Sequence, residues 1–326
     1  MIRKRVSVVV SCLFAGCLAA HADSAPFGVL SAYNLVALGT TGSNAIAGNV
    51  STGSDVEGRV AAVNDLMSVG TIGATLRNDP WGSLANGYAL VAGGGITTTQ
   101  SFSIGCTGCN AWAPSSSAKI NFNGGGQLYT TETDPINFNS VRSTMQAESA
   151  YLATLTANGT VSGNTLTGTS TTLNVFNLTT AQVANINNMS IVTPPGSTVI
   201  INVVNTDSDN TFALTTAMSI DGAQASDSNY DNGDILFNFP QATALDINAQ
   251  FDASILAPYS ILNGSNQMGG NFIVAQIDAT GEVHNHEFDG TVPTPPEDEA
   301  PEPASLGLMG TGLLLMAGKL WRLKRA

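Results

Sequence analysis

The chain has 326 residues, enough for one large domain or two small ones, and carries a formal net charge of −13. Only 11% of its residues are charged and 34 are glycine, which argues against a helical cytosolic enzyme and for an exported all-β chain of short strands and tight turns. An acidic balance repels nucleic acid, so no nucleic-acid partner is expected, nor anionic lipid or anionic polysaccharide; it attracts divalent cations.

In chain order, Arg3, Lys4 and Arg5 precede an apolar stretch over 6–20, and Ala20-His21-Ala22 forms an A-x-A site. This is the pattern of a secretory signal peptide over 1–22, engaged by the Sec machinery and cleaved between Ala22 and Asp23. A competing reading is the "FAGC" at 14–17, close to a lipoprotein site that would lipidate Cys17, although Phe14 stands where Leu is usual. Without both termini, the segment 23–303 keeps Arg59, Arg77, Lys119 and Arg142 against all 24 acids.

From 27 to 131, short apolar runs such as "YNLVALG" and "YALVAGGG" are punctuated by glycine. Strand-length runs with a turn signal every few residues fit stacked coils of parallel sheet with no strict repeat. Within this region "CTGC" places Cys106 and Cys109 for a loop-stapling disulfide in an exported protein. A redox site would need a βαβ setting, and zinc would need two more ligands.

Residues 134–159 differ. Asp134 suits an N-cap, Pro135 the first helical position, and Phe138, Val141, Met145, Leu152 and Leu155 fall on one stripe before Asn158-Gly159. The expectation is a helix over about 135–157 laid against the β body. Strand texture then returns, with "DILFNFPQATALDINAQFDASILAPYSIL" reading as two strands joined through Asn238-Phe239-Pro240. The expected architecture over 23–290 is a mainly β, irregular right-handed β-solenoid with one long helix alongside.

No nucleophile elbow, zincin, P-loop or dinucleotide motif is present, and no catalytic residue is assigned. Two acidic turns could hold structural Ca2+: Asp207 and Asp209 in "NTDSDN", and Asp227, Asn229, Asp231 and Asp234 in "DSNYDNGD". The second departs from an EF-hand at Asn232 and Asn238, and both read equally as solvated loops. His284 and His286 alternate near Glu282 and Glu287, a weak metal pattern whose plainer reading is polar residues at a solenoid end. No other cofactor is expected.

Residues 291–300 are a Pro- and acid-rich linker. Then come Pro301-Glu302-Pro303, an uncharged run over 304–318, and Lys319, Arg322, Lys324 and Arg325. This segment, 301–326, resembles the PEP-CTERM sorting signal of exported Gram-negative bacterial proteins, which implies processing by an exosortase after transient insertion in the inner membrane through 304–321. The run is about 22 Å of helix against a bilayer core of about 30 Å, a marginal span suited to temporary retention.

The body resembles the choice-of-anchor A family. The resemblance rests on "LSAYNLVALG" at 30–39, "GSDVEGRVAA" at 53–62, "LFNFPQAT" at 236–243, "SILAPYS" at 254–260 and "GEVHNHEF" at 281–288. The departure is Val63-Asn64, where the family more often has a glycine pair. The resemblance implies a non-enzymatic adhesive protein of the cell surface, outer membrane or extracellular matrix, with a role in biofilm or exopolysaccharide and a polysaccharide or protein ligand. The "ILAP" at 255–258 with a flanking helix is also similar to ice-binding β-solenoids at the level of fold. The alternatives are a glycan-active β-helix hydrolase and an ice- or surface-binding solenoid. Mass spectrometry of the mature surface protein is expected to find Asp23 first and nothing beyond about Pro303; recovery of Leu320 or Trp321 would overturn the processing scheme.

Overall fold

In the computed structural model the described residues are 25–76, 80–184, 188–204, 210–214, 218–220, 223–224, 233–293 and 295. Strands run from 2 to 11 residues. Among them the antiparallel pairings are Thr160–Ser162 with Thr165–Thr167 and Met218–Ile220 with Ala223–Gln224; the rest are parallel.

Parallel neighbours need a crossover connection. Here two further strands supply it. Ile235–Asn238 lies on a first face, Ala244–Ile247 on a second and Phe251–Asp252 on a third. The next coil repeats the circuit: Ser254–Gly264 pairs with the first strand at its start and the second near its end, and Met268–Gly269 pairs with the third. The chain is therefore mainly β and β-helix-like, as expected. The stretch read as two strands turns at more corners than its apolar runs revealed, because each face takes only a few residues before the chain bends.

The first-face ladder runs Leu128–Tyr129, Asn110–Trp112, Tyr88–Ala92, Val60–Ala62, Leu35–Ala37, Phe272–Ala279, Ser254–Gly264, Ile235–Asn238, Thr198–Val204, Leu173–Thr179. The first strand thus sits mid-ladder against the last long one, with Leu35 opposite Phe272. An N-terminal arm grows outward from this seam; the C-terminal arm starts at the far end and grows back to it. Between the arms the chain must travel the whole ladder, about 43 Å at about 4.8 Å per strand. The helix Phe138–Leu152 covers about 22 Å of that distance.

Two side-chain rows explain the layering. The inward row stacks Phe176, Ile201, Phe237, Ile255, Phe272, Leu35, Val60, Leu90 and Ala111 in the main core. The outward row is Asn177, Asn202, Asn238, Leu256, Ile273, Val36, Ala61, Val91 and Trp112. From Leu256 onward that row is apolar, and at about 1.5–3 kcal/mol per large side chain it needs a cover. The helix provides one: Phe138, Met145 and Leu152 bury themselves there, with Val141 and Leu155 packed beside them.

The helix is shorter than its periodicity predicts. Asp134 caps a turn, accepting from the Ile136 amide at 2.9 Å, and Asn137 is the N-cap, accepting from the Ser140 amide at 3.2 Å. At the other end the asparagine row takes over the exposed carbonyls. Asn238 donates to Ser149 O at 2.9 Å and Asn202 to Leu152 O at 2.8 Å. Past Leu152 the chain leaves the helix to guard the ladder's end, where Asn158 bonds to the Leu173 carbonyl and the Val175 amide at 2.9 and 2.7 Å. A covered edge does not template aggregation.

One polar group under the helix is uncompensated. Glu148 is only 8% exposed, its Oε1 has no hydrogen-bond partner, and burial pushes its carboxyl from the ordinary 4.5 up to about 7. Folding therefore favours the protonated form. Its contribution is fully present below about pH 4.5 and is lost as pH rises through about 7. Glu148→Gln is expected to raise the unfolding free energy by about 1–2 kcal/mol at pH 8, after allowing for solvent screening, and to leave it unchanged at pH 4. Asn202→Ala, which strips partners from Leu152 O, Asn177 and Asn238 together, is expected to cost about 2–4 kcal/mol in denaturant unfolding.

Candidate functional site

The helix occupies the outer side of the first face, so binding surface must come from the others. One such surface is a five-stranded sheet containing Thr160–Ser162, Thr165–Thr167 and Met189–Val192. Leu166, Met189 and Ile191 point into the core. Alternation then turns Thr165, Thr167, Ser190 and Val192 outward. The register places Thr160, Thr167 and Val192 in one row and Ser162, Thr165 and Ser190 in the next. Thr160, Ser162 and Thr167 are exposed, Val192 is 39% exposed, and Thr165 and Ser190 are half-buried. The result is a grid of hydroxyls and methyls spaced about 4.8 Å across strands and about 6.7 Å along them. It has no charge and few rotatable bonds, properties that favour a flat, ordered partner.

A second feature lies on the third face, where the first coil meets the last. Val56 forms isolated parallel bridges to both Ile72 and Val283, which joins the two arms. The next residue, Glu57, donates its amide to Val283 O at 2.8 Å, and its Oε2 accepts from the Asn285 amide at 3.1 Å. Glu57, Glu282 and His284 bring their ligand atoms within 4.8 Å of one another. His284 Nδ1 lies 3.5 Å from Glu57 Oε2.

His286 has a different partner. Its Nδ1 is 2.8 Å from Asp252 Oδ1, although its ring stands only 6.2 Å from that of His284. Glycine at 269 permits that pairing, since a Cβ there would come within 2.2 Å of Asp252 Oδ1 and 3.1 Å of His286 Nδ1. The two histidines predicted as a pair are thus neighbours that face separate carboxylates, His286 hydrogen-bonded to Asp252 and His284 standing 3.5 Å from Glu57. Sequence reasoning missed Glu57 and Asp252, which no local spacing connects to them.

Cys106 and Cys109 are disulfide-bonded, with Cα atoms 5.6 Å apart. Asp234 is half-buried in the turn before Ile235–Asn238, and its carbonyl accepts from the Val199 amide at 2.8 Å. The other predicted calcium positions, Asp207, Asp209, Asp227, Asn229 and Asp231, lie outside the described residues, as do Ala20, Ala22, Asp23, Pro301, Glu302 and Pro303. The hydrophobic run over 304–318 lies outside them too. Among the described residues no helix is long and apolar enough to cross a membrane.

Comparison with known proteins gives one family and one solved structure. A family model described as "Putative Ice-binding-like adhesive domain" matches residues 26–285. No curated protein matches the sequence significantly. A glycosylated ice-binding protein from an Arctic yeast overlaps 86% of this chain and 98% of its own at 10% identity, with a TM-score of 0.29. Superposition that loose says nothing about what this chain binds.

Proposed function

The chain belongs to the ice-binding-like adhesive domain family, and from that premise we propose that it is a non-enzymatic protein that adheres to a surface outside the cell. The family match across nearly the whole β body carries this reading. The exposed hydroxyl and methyl grid of Thr160, Ser162, Thr167 and Val192 supports it, because a rigid sheet face loses little conformational entropy on contact. In this reading the partner is an extracellular polysaccharide or a protein. The chain is a choice-of-anchor A protein that leaves by the Sec route, and an exosortase removes the segment 301–326. It then resides at the cell surface, outer membrane or extracellular matrix, where it contributes to biofilm cohesion.

A second reading is recognition of ice or another ordered crystal face. The two-row register favours it, since a regular grid can match a repeating lattice. Ice recrystallisation assays separate the two: the adhesin reading expects no inhibition, and strong inhibition abolished by Thr167→Lys favours the crystal face. Deleting residues 23–291 in the producing cell is expected to reduce attachment several-fold. Unchanged attachment and matrix composition would sink the adhesin. Release of new reducing ends from neutral or acidic polysaccharides would instead establish the glycan hydrolase.

A further inference from the structure

We propose that Glu57, Glu282 and His284 form a Zn2+ site that clasps the first coil of the solenoid to the last. The donors come from opposite ends of the chain and meet on one side of the third face. Glu282 and His284 are alternate residues, so both project the same way from the last short strand, Val283–His284. Glu57 is delivered from the neighbouring coil, its backbone fixed to Val283 and its carboxylate oriented by the Asn285 amide.

The spacing fits a metal better than a hydrogen bond. His284 Nδ1 and Glu57 Oε2 stand 3.5 Å apart, beyond the range of a good N–H···O bond. Ligands at about 2.0–2.1 Å from a tetrahedral ion sit about 3.3–3.4 Å from one another. The nearby His286–Asp252 pair, at 2.8 Å, shows what a direct hydrogen bond looks like in the same surroundings. All three donors are half-buried, so rotation of the Glu282 side chain can close the remaining gap while water fills the fourth position.

The donor set selects the ion. Ca2+ and Mg2+ take oxygen ligands almost exclusively, whereas one imidazole with two carboxylates suits Zn2+. The surroundings suit a cation as well, since the segment 23–303 has four basic residues against 24 acids. A bound ion would add a side-chain link to a seam made by backbone pairing, Leu35–Ala37 with Phe272–Val274, Val50–Thr52 with Ile277–Ala279, and Val56 with Val283. The site is independent of what the adhesive faces grip.

The test uses the untagged full chain, titrated with ZnCl2 and separately with CaCl2 by calorimetry, with thermal unfolding in parallel. One Zn2+ per chain is expected, with a Tm rise of about 5 °C at saturation and no comparable response to Ca2+. His284→Ala and Glu57→Gln are each expected to weaken Zn2+ binding at least about ten-fold. Glu282→Gln, a near-isosteric change at the third donor, repeats the test should either of those fail to fold. His286→Ala is expected to keep the wild-type affinity, because its ring serves Asp252. Absence of saturable Zn2+ binding, equal affinity in the His284 and Glu57 variants, or an equal response to Ca2+ would each overturn the proposal.

Discussion

Asn177, Asn202 and Asn238 stand one per coil on the outer side of the first face. Asn202 donates to Asn177 Oδ1 at 2.9 Å, Asn238 donates to Asn202 Oδ1 at 2.8 Å, and the Ser149 hydroxyl closes the row on Asn238 at 2.5 Å. Asn202 and Asn238 each spend one donor on the neighbouring asparagine, while Asn177, Asn202 and Asn238 each reach a carbonyl of the helix end or the turn after it. Helix carbonyls without partners must be satisfied somehow, and here the sheet does it. The row therefore fixes strand register, helix length and helix position together. A slip of one residue would turn the amides into the core and expose phenylalanines.

The chain path follows from that docking. The helix bridges arms that end far apart, and the segment after it seals the ladder's terminal strand. The first face is then spent on structure: core beneath, helix above. What remains for contact with the outside is the second and third faces and the hydroxyl-bearing five-stranded sheet. Family membership and surface chemistry converge on the same kind of protein, one that presents rigid faces.

Much of this was legible in the residues. Short apolar runs broken by glycine pointed to parallel coils, and the stripe from Phe138 to Leu155 identified the buried side of the helix correctly. Its ends were misjudged because Asp134 and Asn137 are both competent caps, and only the fit of the helix on the sheet chooses between them. Similarly, Asn158-Gly159 looked like a stop signal, yet the helix ends earlier because asparagines from distant strands claim its last carbonyls. The histidines were visible as a motif. Their separate carboxylate partners, Glu57 and Asp252, were not, since each arrives from another coil.

By itself the sequence determined the class of structure: a glycine-rich, sparsely charged chain with strand-length apolar runs can bury its side chains only by stacking short strands. Composition and local period decide that because they act through neighbouring residues. Tertiary structure alone decided that the N-terminal strand would sit in the middle of the ladder and that Glu57 would meet Glu282 and His284. Both depend on which coils become neighbours, and that is set by the closing of the two arms at Leu35 and Phe272, a contact between residues at opposite ends of the chain.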